Sequence, residues 1–349
     1  MIYFSIGMPS AFADWCEAAL TVMARRQLGV VELIDANTLD ELATNILKTG
    51  ASNLIVSSRT PNDRLAGALA EAKMPMLFVL DDPHAAIAYL TAERKLDRLA
   101  AIRAVANSYA CLMRCAKLSK ALVLDVSRHG HEPLAAIRLI AKHFGFPAAE
   151  PWLAEVLAGI RAKRPESAPR AGDAWWNGLD KPAQALVDGA TKGYAEFFSA
   201  GRLGLITWHR ELFLDGDARK PVTQAIDVTG RARCLTCGPN IRLPPGSWTA
   251  QVVFGCSKDA VGISLLLDVF AGTQLSQAQY RPKTGGIFEV SLKFTLEEAN
   301  DHPIEVRISN EKAALEGRLS LSHVYLALES APRMVQNPVL SAELGLEVS

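Results

Sequence analysis

Surplus charge is the first thing this sequence lacks: 37 Lys and Arg side chains balance 37 Asp and Glu over 349 residues. A chain without a net field does not gather polyanions around itself, which argues against non-specific nucleic-acid binding and against adsorption to anionic lipid. Long apolar runs are missing too. Arg, Lys, Asp or Glu breaks every candidate before the roughly 20 residues needed to cross a bilayer, so membrane insertion is not expected. The apolar opening Met1-Ile2-Tyr3-Phe4-Ser5-Ile6 has no basic segment before it and runs straight into Gly7 and Pro9, unlike a secretory leader, so the expected location is cytoplasmic. Cysteine is sparse. The six thiols (Cys16, Cys111, Cys115, Cys234, Cys237 and Cys256) are too few for a disulfide framework and suit a reducing compartment. Only Cys234-Leu-Thr-Cys237 has metal or redox spacing; it lacks a second ligand pair nearby, so no metal is expected. Neither Gly-Lys-Ser/Thr nor Gly-x-Ser-x-Gly occurs, which removes Walker-type nucleotide binding and nucleophile-elbow hydrolysis, and no repeat of solenoid length is found.

What is present suffices for two cores, since 49% of the residues are hydrophobic. Over residues 1–150, short apolar runs at 2–6, 30–34, 53–57, 76–80 and 121–126 alternate with helically spaced stretches at 13–25, 39–48, 63–72, 84–90, 96–117 and 131–144. That alternation predicts an α/β domain with a parallel sheet covered on both faces. Residues 151–215 are expected to form a helical extension and linker, with a polar loop at 161–172. From 216 to 332, alternating runs separated by Pro244-Pro245-Gly246, Gly285-Gly286 and Asn300-Asp301 predict an all-β antiparallel sandwich or jelly roll, followed by a tail at 333–349.

In an α/β fold, anions bind where the first strand turns into the first helix, because free N–H groups and the positive end of the helix dipole meet there. The residues at that place are Gly7, which permits a tight turn, Pro9, which stiffens it, and Ser10, which can cap the helix or donate to an anion. With Trp15 they match the frame Gly-x-Pro and an early Trp. Asn53 to Thr60, Met76 to His84, Ala121 to Asp125 and the helix ending Phe144-Gly145-Phe146-Pro147 follow in order. Over residues 1–150 the chain resembles the sulfotransferases that use phosphoadenosine phosphosulfate, which implies a P-loop-type fold and that nucleotide as the cofactor. The resemblance places Gly7, Pro9 and Ser10 at the nucleotide; Arg59 is the one basic residue at the predicted strand ends that could join them and His84 is the candidate base, each against a structural or surface reading. This chain departs from the family at the loop, with Ser10 for a basic residue, Phe12 for the loop glycine, and Ala13 and Asp14 for paired hydroxyls. Before Pro83 the family's arginine is replaced by Asp81 or Asp82, and a carboxylate beside a phosphate costs Coulomb energy.

Ser127-Arg128-His129-Gly130-His131 follows another strand and reads as a solvated turn. Trp175-Trp176 reads as a loop anchor, and Trp248, Tyr280 and Tyr325 are the sandwich's possible glycan platforms. The expected function is therefore a non-catalytic, degenerate sulfotransferase-like protein that recognises a polysaccharide or protein partner, with self-association left open. The alternative is an active sulfotransferase that moves a sulfuryl group to a glycan hydroxyl.

Overall fold

The computed structural model describes residues 1–72, 74–115, 121–160, 169–298, 300 and 302–330. The chain divides into two compact units between Asp180 and Lys181.

In the first unit the order is β1 (Ile2–Gly7), α1 (Ala11–Leu28), β2 (Glu32–Asp35), α2 (Leu39–Thr49), β3 (Leu54–Ser58), α3 (Asp63–Ala72), β4 (Met76–Leu80), α4 (Pro83–Ala92) and α5 (Arg98–Cys115). It continues through β5 (Ala121–Asp125), α6 (Val126–His129), α7 (Pro133–Phe144), α8 (Glu150–Gly159) and α9 (Pro169–Asn177). All five strands pair in parallel in the order β2-β3-β1-β4-β5. Strands β3 and β4 are buried along their whole length, as unbroken apolar runs in a sheet covered on both faces must be, whereas β2 at the edge is mostly exposed. Helix α1 starts where the Ser10 side chain accepts the Ala13 amide and stops at Gly29, whose φ is 79°. Its Trp15, Leu20 and Met23 share one core with Ile137 and Ile140 of α7 and with Leu153 and Val156 of α8.

The segment read as extension and linker is thus split between the units. Helix α8 completes the core over α1, and α9 packs against α4, where a Cβ on Gly172 would lie 3.1 Å from the Ala85 amide nitrogen. The expected polar loop at 161–172 falls partly outside the described residues (161–168), and its end belongs to α9. The expected tail at 333–349 also lies outside the described residues.

The second unit opens with α10 (Lys181–Ala200) and continues through β6 (Ile206–His209), β7 (Leu214–Asp215), β8 (Ile226–Asp227), β9 (Arg233–Cys237), β10 (Pro239–Ile241) and β11 (Gly246–Cys256). Strands β12 (Leu265–Ala271), β13 (Thr273–Tyr280), β14 (Gly286–Leu296), β15 (Ile304–Asn310) and β16 (Arg318–Ser330) complete it. Two antiparallel sheets form a β-sandwich: β14-β11-β16-β6 with β8 on β16, and β13-β12-β15-β9-β7 with β10 on β15. Strict alternation in β11 turns Trp248, Ala250, Val252 and Phe254 inward. They belong with the buried Trp208, Val324 and Leu326 of the same sheet and with Leu265, Leu267, Val306 and Ile308 of the other.

Among the described residues no helix is long and apolar enough to cross a membrane, and no group of three or more His, Cys, Asp or Glu is placed to hold a metal ion.

Candidate functional site

The turn from β1 into α1 is short and closed in. Gly7 lies against β4, where a Cβ would come within 3.0 Å of Val79, so the close approach of two central strands demands glycine here. Met8 is buried, its amide donating to the Val79 carbonyl at 3.1 Å and its sulfur accepting the Asp81 amide at 3.4 Å. Ser10 is fully buried and its hydroxyl accepts the Ala13 amide at 3.2 Å. The same hydroxyl acts on the Asp81 carboxyl, favouring its ionised form. Of the two aspartates before Pro83, Asp81 is the one turned inward, only 7% exposed, while Asp82 faces outward and caps α4 by accepting the Ala85 amide at 3.0 Å. Burial pushes the Asp81 carboxyl up to about 7, against the pull of the Ser10 hydroxyl and of the Asp82 amide, which donates to Asp81 Oδ1 at 2.8 Å.

Arg59 stands just past β3, as its position in sequence implies, and its backbone is clamped from two sides. Asn37 Oδ1 accepts the Arg59 and Thr60 amides at 3.1 and 2.9 Å, and the Ser108 hydroxyl donates to the Arg59 carbonyl at 2.7 Å. One end of its guanidinium is committed: Nη2 donates to Asp14 Oδ1 and to Glu17 Oε2, each at 3.1 Å, while Nη1 is buried without a hydrogen-bond partner. Asp14 also receives Arg94 Nη2 at 2.9 Å and the Tyr89 hydroxyl. Two carboxylates and two guanidinium groups therefore cancel in one cluster. Burial raises the Glu17 carboxyl above its ordinary range, and Arg59 opposes that rise. These side chains line a cavity of about 970 Å³ that runs along α1 from Pro9 to Arg25, with Asp35, Asn37 and Ser57 from the strand ends on its other side.

His84 is not placed at this cavity. Its ring stacks on Trp176 with centroids 3.9 Å apart and planes 11° from parallel, a contact that joins α9 to α4. At β5, the carboxylate of Asp125 accepts the Ser127 amide and hydroxyl, at 2.8 and 2.6 Å, and caps α6.

In the second unit the three aromatic positions separate. Trp248 is a core residue, 1% exposed, with its indole N–H donating to the Pro244 carbonyl at 3.0 Å, and so cannot be a platform. Tyr280 sits opposite the inward Leu265 and packs on Phe254 and Phe288 at 5.7 and 5.3 Å, at the sandwich margin. Tyr325 points outward and is half-buried, opposite Gln251 of β11 and Thr207 of β6, with the His323 ring 4.3 Å away.

The sequence reading brought Gly7, Pro9, Ser10 and Arg59 to one region but missed Asp14 and Glu17 as Arg59's partners, and missed Asn37, Tyr89 and Arg94. A signal for the first pair existed: two carboxylates three residues apart in an otherwise apolar helix mark one polar stripe.

No family model matches this chain, and no curated protein matches it. Among solved structures it is similar to a mouse sulfotransferase complexed with PAP, at 11% identity, 57% of this chain, 83% of that chain and a TM-score of 0.40. It is also similar to a sulfotransferase from Alicyclobacillus acidocaldarius, at 16% identity over 50% of this chain and 97% of that one, with a TM-score of 0.31. A carbohydrate-binding module from a laminarinase of Zobellia galactanivorans shares 14% identity over 36% of this chain and 99% of its own length, with a TM-score of 0.24.

Proposed function

We propose that this chain is a non-catalytic binding protein: its α/β unit keeps the sulfotransferase arrangement without sulfuryl-transfer chemistry, and its β-sandwich recognises a polysaccharide. The observation that carries the reading is Asp81, whose buried carboxyl stands with the α1 cap residue Ser10 where a phosphosulfate would need donors and positive charge. Phosphoadenosine phosphosulfate does not fit this donor set. Ser10 is already engaged, Arg59 is neutralised by Asp14 and Glu17, and an ionised Asp81 repels an anion. The polysaccharide half rests on Tyr325. A half-exposed ring flanked by the amide of Gln251 and the imidazole of His323 offers a stacking face with hydrogen-bonding groups beside it, which is what a sugar ring requires.

One observation favours the alternative of sulfuryl transfer to a glycan hydroxyl: the cavity along α1 is large enough for a nucleotide and has Arg25, Arg59 and Arg94 in its wall. Calorimetric titration with adenosine 3′,5′-bisphosphate separates the two. The expected result is no heat of binding to the folded protein; micromolar binding that disappears in Ser10→Ala and Arg59→Ala would restore the transferase. A polysaccharide array probed with the native chain and with Tyr325→Ala tests the second half, which stands if the native chain binds a glycan and the variant loses that signal.

A further inference from the structure

Cys234 and Cys237 lie in β9, whose pairing with β15 shifts register between Ile308 and Ser309. A regular strand would hold residues three apart on opposite faces and about 10 Å distant, beyond contact of their side chains. Across this irregularity the two thiols influence one another's titration, and Cys234 Sγ donates to the Thr236 carbonyl at 3.4 Å. Cys237 is buried and Cys234 is partly exposed, so one sulfur sits under the surface with the other above it.

A cation is built against the buried sulfur. Arg219 Nη1 donates to Cys237 Sγ at 3.4 Å. The turn carrying Arg219 is tightly specified: Asp215 Oδ1 accepts the Asp217 and Ala218 amides at 2.9 and 2.7 Å, and the Asp215 carbonyl accepts the Arg219 amide at 2.9 Å. Arg219 itself holds a φ of 54°, a left-handed conformation that costs a residue with a Cβ on the order of 1 kcal/mol. The turn is tied to the cysteines by strand pairing, since Leu214 and Asp215 of β7 face Cys237 and Thr236 of β9. A pair of interacting thiols with a guanidinium on one member is the arrangement that makes one sulfur a nucleophile and the other its resolving partner.

We propose that Cys234 and Cys237 form a reversible, peroxide-sensitive disulfide on the sandwich, with Arg219 as the positioning residue that activates Cys237. The Cys237 thiolate attacks one oxygen of hydrogen peroxide, the O–O bond breaks and hydroxide leaves, giving a sulfenic acid on Cys237. The Cys234 sulfur then attacks that sulfenic sulfur and the S–O bond breaks. The Cys234 proton and the departing hydroxide make water, and the S–S bond closes. Two electrons pass from the thiol pair to the peroxide, which ends as one water and one hydroxide that takes a proton from solvent. The neighbouring Cys234, Arg219 and Arg307 draw the Cys237 thiol below its ordinary range against burial and the Glu305 carboxylate, which favours its thiolate, while the partner thiol and burial raise Cys234.

The test uses the full chain, reduced and freed of reductant, then exposed to hydrogen peroxide at pH 7. The expected result is a loss of two hydrogens in intact mass, reversed by dithiothreitol, with peptide mapping placing the link between Cys234 and Cys237. Arg219→Gln should slow this loss about fivefold at pH 7 and move the pH dependence of the rate upward, while Arg219→Lys keeps most of the rate. Stepwise gain of oxygen without a link, a disulfide between other cysteines, or an unchanged rate in a folded Arg219→Gln protein would each overturn the proposal.

Discussion

At the scale of single residues, Asp81 carries the sharpest consequence. Its folded pKa of about 7 stands above the free value of 3.8, so between these limits the folded chain keeps a proton that the unfolded chain has released. The stability this provides is fully present below about pH 4 and is lost as pH rises to about 7, a step worth about 4 kcal/mol at the standard conversion. Asp81→Asn removes the titration while retaining the hydrogen bonds, so urea midpoints of the native chain should fall relative to the variant from pH 4 to pH 8; parallel curves would refute this. Arg59→Ala tests the neighbouring cluster. It leaves Glu17 and Asp14 without their shared cation in a partly buried place, and a loss of about 2 kcal/mol is expected, with Glu17→Gln restoring part of it in the double variant.

At the scale of elements, α10 and β6 show how closely two pieces of backbone can be pressed together. Gly189 and Gly193 lie one helical turn apart on α10, and a Cβ on either would stand 2.7 Å from a backbone oxygen, of Thr207 and of Leu205 respectively. Gly193→Ala should therefore cost about 2 kcal/mol, read as a lowered denaturation midpoint, whereas substitution of an exposed residue on the same helix, Lys192→Ala, should change little. The same scale shows what was legible beforehand. Apolar runs such as residues 76–80 mark buried parallel strands because no polar face is needed, and Gly145, at φ 74°, ends α7 where its place after Phe144 says it should. Trp248 reads as a platform only while it is left out of β11, which begins at Gly246. Extending the alternation from Ala250 and Val252 back to 248 puts the indole inside. Strand β13 is hard to read from the sequence, since Gln, Ser and Thr dominate it and its pairing is set by the neighbouring β12. The committed state of Arg59 was hidden because Arg94 and Glu17 reach the cluster through tertiary packing, and no spacing along the chain brings residues 59 and 94 together.

At the scale of the whole molecule, two units with separate cores predict that residues 181–330, made alone, fold to a β-rich, cooperatively melting unit; a non-cooperative melt would contradict the division after Asp180. The first unit is assembled from neighbours in sequence, strand to helix to strand, so its contacts can form as the chain is made. The sandwich is different, because β16, which begins at Arg318, pairs with β11, β8 and β6, which begin as far back as Gly246, Ile226 and Ile206. Synthesis therefore leaves β11 with one open edge and β6 with none of its strand partners until residues 318–326 leave the ribosome. A message broken before that point would yield a chain whose apolar strands wait unclosed, recognisable to chaperones and proteases as unfinished.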